Sequence, residues 1–224
     1  MLERKELRNK QLVFDDRLEA GRVLAEMLAP QHRAAPETIV LAIPAGGVPV
    51  GIQISKDLQI DFDVVIVRKI QIPGNTEAGF GAMTPEGSLF LNEELLSYLN
   101  LSPAQIEAQK NLVKKDLEER NRLFRKGSPF PDLSGKTVIL VDDGLASGFT
   151  MMAALDTAKR RGAAKIVVAV PTAPLRSIER IEPLADEIYC ANIRETAYFA
   201  VADAYRNWYD LTREEVLELL RAGP

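Results

Sequence analysis

Five short apolar runs rich in valine and isoleucine recur along the chain, at residues 38–43 (TIVLAI), 62–67 (FDVVIV), 137–141 (TVILV), 165–170 (KIVVAV) and 187–190 (EIYC). A run that is apolar on both faces fits a parallel sheet covered by helices on both sides, and the segments between the runs can supply those helices. Asp15 or Asp16 suits the N-cap of a helix reaching Leu28, with Leu18, Val23, Leu24, Met27 and Leu28 at helical spacing. Ser102-Pro103-Ala104-Gln105 reads as a capping box with proline at the first helical position. The helix it opens keeps Ile106, Val113, Leu117 and Phe124 on one stripe, and Thr212-Arg213-Glu214-Glu215 starts a further helix in the same way. The fold expected is one doubly wound α/β domain over residues 1–224, with a mostly parallel five-stranded sheet. A small cap is expected from about residues 191–224, with the N-terminal residues as a further candidate.

Counting removes several kinds of chemistry. Cys190 is the only cysteine and His32 the only histidine among the 224 residues, so disulfide frameworks, Cys/His zinc sites and relays needing a second histidine are excluded. His32 lies in the polar stretch PQHRAAPE and reads as a solvated loop residue. The 28 basic and 32 acidic residues are interspersed and give a net charge of -4, which argues against nucleic acid as the main partner. No apolar run is long enough for a membrane span, and the start of the chain is charged where a secretory signal would be greasy. A cytoplasmic location is therefore expected, and a homo-oligomer is left open. Carboxylates, hydroxyls, amides, lysine and arginine remain, a set suited to phosphate chemistry.

Nearly seventy residues separate the second and third runs, and their first part, residues 71–87 (QIPGNTEAGFGAMTPEG), is dense in glycine and proline without periodicity. Long segments of this kind are commonly lids or binding loops. The competing reading is a surface hairpin over residues 83–90, turning at Pro85-Glu86-Gly87.

The segment VILVDDGLASGFT, residues 138–150, carries the chemistry. It reads as a strand ending in two acids and followed by a turn of glycines and hydroxyls that opens a helix. Such a turn at the carboxyl edge of a parallel sheet presents unpaired N–H groups and a positive dipole end to an anion. Gly144 and Gly148 allow close backbone approach, and Ser147 and Thr150 add donors. Asp142 and Asp143 repel phosphate and must face something else, such as vicinal hydroxyls or a divalent cation. A phosphate at one end and a diol at the other describe a ribose 5-phosphate.

These thirteen residues resemble the phosphoribosyl-diphosphate (PRPP) binding signature of type I phosphoribosyltransferases: an apolar strand, two acids and a turn close to G-L-A-T-G-x-T. Ser147 replaces the usual threonine and keeps the hydroxyl. The resemblance spans residues 15–210, and its layout is most similar to the subgroup known only as predicted phosphoribosyltransferases. It implies an enzyme of nucleotide or nucleoside metabolism that moves ribose 5-phosphate from PRPP to a small nitrogenous acceptor and releases diphosphate, with Mg²⁺ as cofactor. Carried onto this chain, the phosphate turn is Gly144, Leu145, Ala146, Ser147, Gly148, Phe149 and Thr150. Asp142 and Asp143 hold the diol and, directly or through hydroxyls and water, the metal. Ala45, Gly46 and Gly47 resemble the diphosphate loop, and Arg68 and Lys69 the start of a flexible catalytic loop that closes over PRPP.

Three positions bear on the acceptor and on turnover. Hypoxanthine-guanine enzymes carry an aspartate where this chain has Ala146, so those bases lose ground to adenine, uracil and orotate. Tyr198, Phe199, Trp208 and Tyr209 are candidates for an acceptor pocket, with core packing as the competing role for such a cluster. Ala45 stands where related loops carry arginine, and Phe149 where related turns carry a small or polar residue. These departures keep a second reading open: a PRPP- or nucleotide-sensing regulator of the same fold with little turnover.

Overall fold

The computed structural model describes residues 1–125, 128–196 and 198–224. Lys126, Gly127 and, inside the expected cap, Ala197 lie outside the described residues. In chain order the elements are β1 (Leu2–Glu3), α1 (Arg17–His32), β2 (Thr38–Ala42), α2 (Gly47–Leu58) and β3 (Asp61–Val64), followed by β4 (Arg68–Ile72), β5 (Asn75–Met83) and β6 (Leu89–Leu91). After these come α3 (Glu93–Leu99), α4 (Pro103–Arg125), β7 (Thr137–Val141), α5 (Phe149–Arg160), β8 (Lys165–Pro174), α6 (Leu175–Ile181), β9 (Glu187–Arg194) and α7 (Arg213–Ala222). Among the described residues, no helix is long and apolar enough to cross a membrane.

The main sheet runs β1-β9-β8-β7-β2-β3, and every pairing in it is parallel. The α/β class and the five expected strands stand, but the sheet has six strands. The sixth is β1, whose Leu2 and Glu3 pair with Tyr189 and Cys190. Alternate side chains of each strand serve opposite faces. Ile39, Leu41, Val138, Leu140, Val168 and Cys190 meet α5 and α6, whereas Val40, Ile139, Val141, Val167 and Tyr189 meet α1 and α2. The second strand ends at Val64, earlier than its apolar run, although Val65, Ile66 and Val67 remain buried.

The segment at residues 71–87 is built into a second, three-stranded antiparallel sheet, β4-β5-β6. The hairpin reading describes it better than an irregular loop, because Met83 pairs with Leu89 and Ala82 with Phe90 around the expected turn. Phe80, Ala82 and Met83 are buried and anchor it. Phe80, Met83 and Ile70 share a third core with Val113, Leu117 and Phe124 of α4 and Val216 of α7.

Helix α1 is capped by Asp16, whose carboxylate accepts from the amides of Leu18 and Glu19. Its buried stripe is Arg17, Ala20, Gly21, Leu24, Ala25, Leu28 and His32, so Leu18 faces solvent instead of the core. The stripe is rotated because its small residues let α1 lie close on α2. His32, expected in a solvated loop, closes the helix and is 3% exposed. Its Nε2 lies 3.4 Å from Glu187, and burial, only partly opposed by that carboxylate, pushes the imidazole pKa down.

A β-carbon on Gly21 would lie 2.7 Å from Gln53 Cβ and 2.9 Å from the Val50 carbonyl of α2. Gly21→Ala would gain about 1 kcal/mol from helix propensity alone. The clash reverses the sign: denaturant unfolding of the variant should show a net loss of about 1–3 kcal/mol, and a net gain would refute this packing.

Candidate functional site

Strand order reverses between β2 and β7: from β2 the chain proceeds to β3 on one side, and from β7 to β8 on the other. In open α/β sheets the crevice outside the carboxyl ends at such a reversal is where ligands bind. Ala42 and Val141 are register partners at this edge, so the loops that follow them start side by side. Together with Val67 and the start of β4 they enclose a cleft of about 210 Å³. Ile43 and Pro44 line it from the first loop, Asp142 and Gly144–Gly148 with Thr150 and Met151 from the second, and Val67, Arg68 and Lys69 from the third side.

The two acids occupy different places. Asp142 lines the cleft, and its Oδ1 accepts the Asp143 amide at 2.9 Å. Burial, reinforced by the charge of Asp143, raises the Asp142 pKa well above the ordinary carboxylate range. Asp143 turns away and receives Arg17 Nε at 2.8 Å. Burial also raises the Asp143 pKa, but Arg17 opposes the shift. Arg17 in turn donates to the Tyr209 carbonyl and stacks 4.1 Å from the Trp208 ring centre, while the Tyr205 hydroxyl donates to the Asp143 carbonyl at 2.6 Å. Neither Arg17 nor Tyr205 belongs to a local motif. The available signal was a charged residue on the otherwise small and apolar stripe of α1.

The loop holding Ala45, Gly46 and Gly47 packs directly on these acids. A β-carbon on Gly46 would stand 1.8 Å from Asp143 Oδ2, and one on Gly47 would stand 2.9 Å from Asp142 Cα. Glycine is required here by proximity. The Pro44–Ala45 peptide is cis. The Gly47 amide is taken by the Ile43 carbonyl at 3.0 Å, so only the amides of Ala45 and Gly46 are without an acceptor among the described residues. The Ala45 side chain packs toward the third core and does not line the cleft.

In the phosphate turn, Gly148 adopts φ +87° and N-caps α5. Leu145 is buried, and its amide donates to the Thr172 carbonyl. Phe149, the residue at odds with the resembling turns, is 8% exposed and enters the core without lining the cleft. Its side chain is therefore not a ligand contact, although its amide opens the helix. Among the described residues the amides from Ala146 to Met151 take no backbone acceptor, the condition in which a helix N-terminus receives an anion.

Arg68 and Lys69 both reach the cleft. Arg68 is oriented by Asp116 of α4, which accepts its Nε at 2.5 Å and also receives Arg120 and Arg213. Burial would raise the Asp116 pKa, but the charges of Arg68 and Arg120 outweigh it and hold it below the ordinary range. The four aromatic residues expected at an acceptor pocket do not come together in the cleft. Tyr198 is 91% exposed, Phe199 is half-buried, and Trp208 packs on Tyr205 with ring centres 5.3 Å apart. Tyr209 instead borders a separate cavity of about 400 Å³ beside Arg17 and Pro49.

Among the described residues no group of three or more His, Cys, Asp or Glu side chains converges as a metal cage. Asp142 is a carboxylate oxygen donor lining the cleft, of the kind a hard divalent cation takes.

Residues 14–205 match the model of the phosphoribosyl transferase domain family. Two Mycobacterium tuberculosis proteins, named "Putative phosphoribosyl transferase Rv0571c" and "Putative phosphoribosyl transferase MT0597", are each 38% identical over 208 residues. These alignments cover 93% of this chain and 46% of the relatives, so the chain spans about half the length of the curated relatives it matches. The crystal structure of TT1426 from Thermus thermophilus is similar with a TM-score of 0.74 at 34% identity, covering 95% of this chain and 99% of that one.

Since the Asp142 pKa is raised in the folded chain above its ordinary 3.8, the group favours folding at low pH, and that contribution is lost as pH rises through the raised value. Asp142→Asn cannot ionise. Without ligand or divalent cation it should therefore melt higher than the parent at neutral pH, with the difference shrinking as pH is lowered toward 3.8. Melting curves across that range that run parallel for the two proteins would refute the assignment.

Proposed function

Because the chain belongs to the phosphoribosyl transferase domain family, we propose that it transfers ribose 5-phosphate from PRPP to a small nitrogenous acceptor. The observation that carries this reading is the meeting, in one cleft at the strand reversal, of a helix-opening turn whose amides have no acceptor among the described residues with a half-buried acid and two cationic side chains. The amides from Ser147 to Thr150, with the Ser147 and Thr150 hydroxyls, hold the 5′-phosphate. Asp142 accepts from the ribose hydroxyls and fixes the ring. As the C1′–O bond of PRPP breaks, the acceptor nitrogen bonds to C1′ and the bonding electrons leave with diphosphate. Arg68, braced by Asp116, and Lys69 face the charge that develops on that group, assisted by the amides of Ala45 and Gly46.

Asp142 is the residue that would hold Mg²⁺, which when bound offsets charge on the diphosphate. Asp143, neutralised by Arg17 and packed on Gly46, fixes the position of the diphosphate loop and does not serve as a ligand. Ala146 lies exposed at the cleft and has no proton to exchange, so the acceptor must not depend on the turn for a base. On this reading hypoxanthine and guanine lose ground as acceptors.

Incubation with PRPP, Mg²⁺ and a pool of bases and amines, followed by assays for diphosphate and for new ribosylated mass, tests the reading and identifies the acceptor. Arg68→Ala should lower turnover by roughly a hundredfold, the scale for removing one donor to developing charge. It should affect ribose 5-phosphate binding little. Failure of the parent to bind PRPP by calorimetry in the presence of Mg²⁺ would overturn the reading.

A further inference from the structure

Behind the phosphate turn, on the side away from the cleft, lies α6. Ser177 Oγ donates to the Ala146 carbonyl at 2.5 Å, and Arg180 Nη1 donates to the Ser147 carbonyl. A trans peptide directs its C=O and N–H to opposite sides. Holding these two carbonyls from behind therefore turns the amides of Ser147 and Gly148 forward, and neither amide has an acceptor among the described residues. Arg180 is held in turn by Phe149, with the guanidinium carbon 5.1 Å from the ring centre. The backbone fits the same arrangement: a β-carbon on Gly148 would lie 3.5 Å from Ile181 Cγ2 and 3.7 Å from the Ser177 carbonyl, so α6 packs flush against the turn.

We propose that Arg180 and Phe149 form a brace that fixes the amides of Ser147 and Gly148 in the orientation that receives a phosphate monoester. Both are positioning residues, and the proposal rests on the phosphate turn binding the 5′-phosphate as in the function proposed above. Phe149, which departs from the resembling turns, then has a definite role as the apolar face on which Arg180 lies. Arg180 has no carboxylate partner among the described residues, so its charge remains uncompensated beside the turn. The brace acts at the monoester end of PRPP alone. Pro44, Arg68 and Lys69, which line the cleft from the other loops, are the proposed diphosphate end.

The test is titration of the full chain with ribose 5-phosphate, and separately with inorganic diphosphate and Mg²⁺, followed on backbone amide resonances. In the parent, ribose 5-phosphate should move the Ser147 and Gly148 amide protons downfield. Arg180→Ala and the apolar, ring-free Phe149→Leu should each weaken ribose 5-phosphate about tenfold and diminish those shifts. Diphosphate affinity should stay within about twofold of the parent. Arg180→Gln, which keeps a donor for the Ser147 carbonyl without the charge, should recover part of the affinity and of the shifts. The brace is refuted if both Ala and Leu variants bind ribose 5-phosphate as the parent does, if they lose both ligands equally, or if Arg180→Gln is as weak as Arg180→Ala. A parent that binds PRPP while the variants show no selective loss removes the brace alone. A parent that binds neither PRPP nor ribose 5-phosphate removes the functional reading and the brace with it.

Discussion

Two carboxylates on consecutive residues at the end of a buried strand repel one another, and the surrounding structure is arranged around that repulsion. Asp143 is relieved by Arg17, which arrives from the first helix across 126 residues of sequence. Asp142 lines the cleft, where burial and the charge of Asp143 raise its pKa. The pair thus splits into an acid that lines the cleft and one that is held by Arg17. The split also accounts for Gly46 and Gly47, because the neighbouring loop can approach the acids only where it has no side chains.

The cleft is supported on each side by elements that do not line it. Asp116 of α4 aims Arg68, and α4 is itself seated by the third core, which includes the hairpins β4-β5-β6. Ser177 and Arg180 of α6 hold the phosphate turn from behind. Arg17 and Tyr205 hold Asp143, and the chain ends meet beside them, with Phe14 and Tyr205 in parallel bridge pairing. This division suits the function proposed above: recognition through backbone amides needs a rigid backbone, so the stabilising contacts come from outside the cleft.

The two departures from the resembling motifs have different structural consequences. Phe149 is absorbed by the core and by Arg180, so it leaves the cleft open. Ala45 packs toward the third core and supplies no cation, whereas Arg68 and Lys69 line the cleft.

Five of the six strands of the main sheet, the capping boxes at Ser102 and Thr212 and the acid-and-turn segment were legible from the sequence, because each depends on neighbours within a few residues. Periodicity marks a buried face, and a hydroxyl three residues before an amide marks a cap. The hairpin over residues 83–90 was legible as an alternative only, since glycine- and proline-rich strands give no alternation to read. Strand order, the adjacency of β2 and β7, and the pairings Arg17–Asp143, Arg68–Asp116 and Arg180–Ser147 join residues separated by 33 to 126 positions. The burial of His32 belongs with them, because its carboxylate partner lies 155 residues away. By itself the sequence determined that two acids stand at a strand end before a helix-opening turn of glycines and hydroxyls. Only the tertiary structure decided which of the two acids faces the cleft, because that depends on which one meets a cation from elsewhere in the chain.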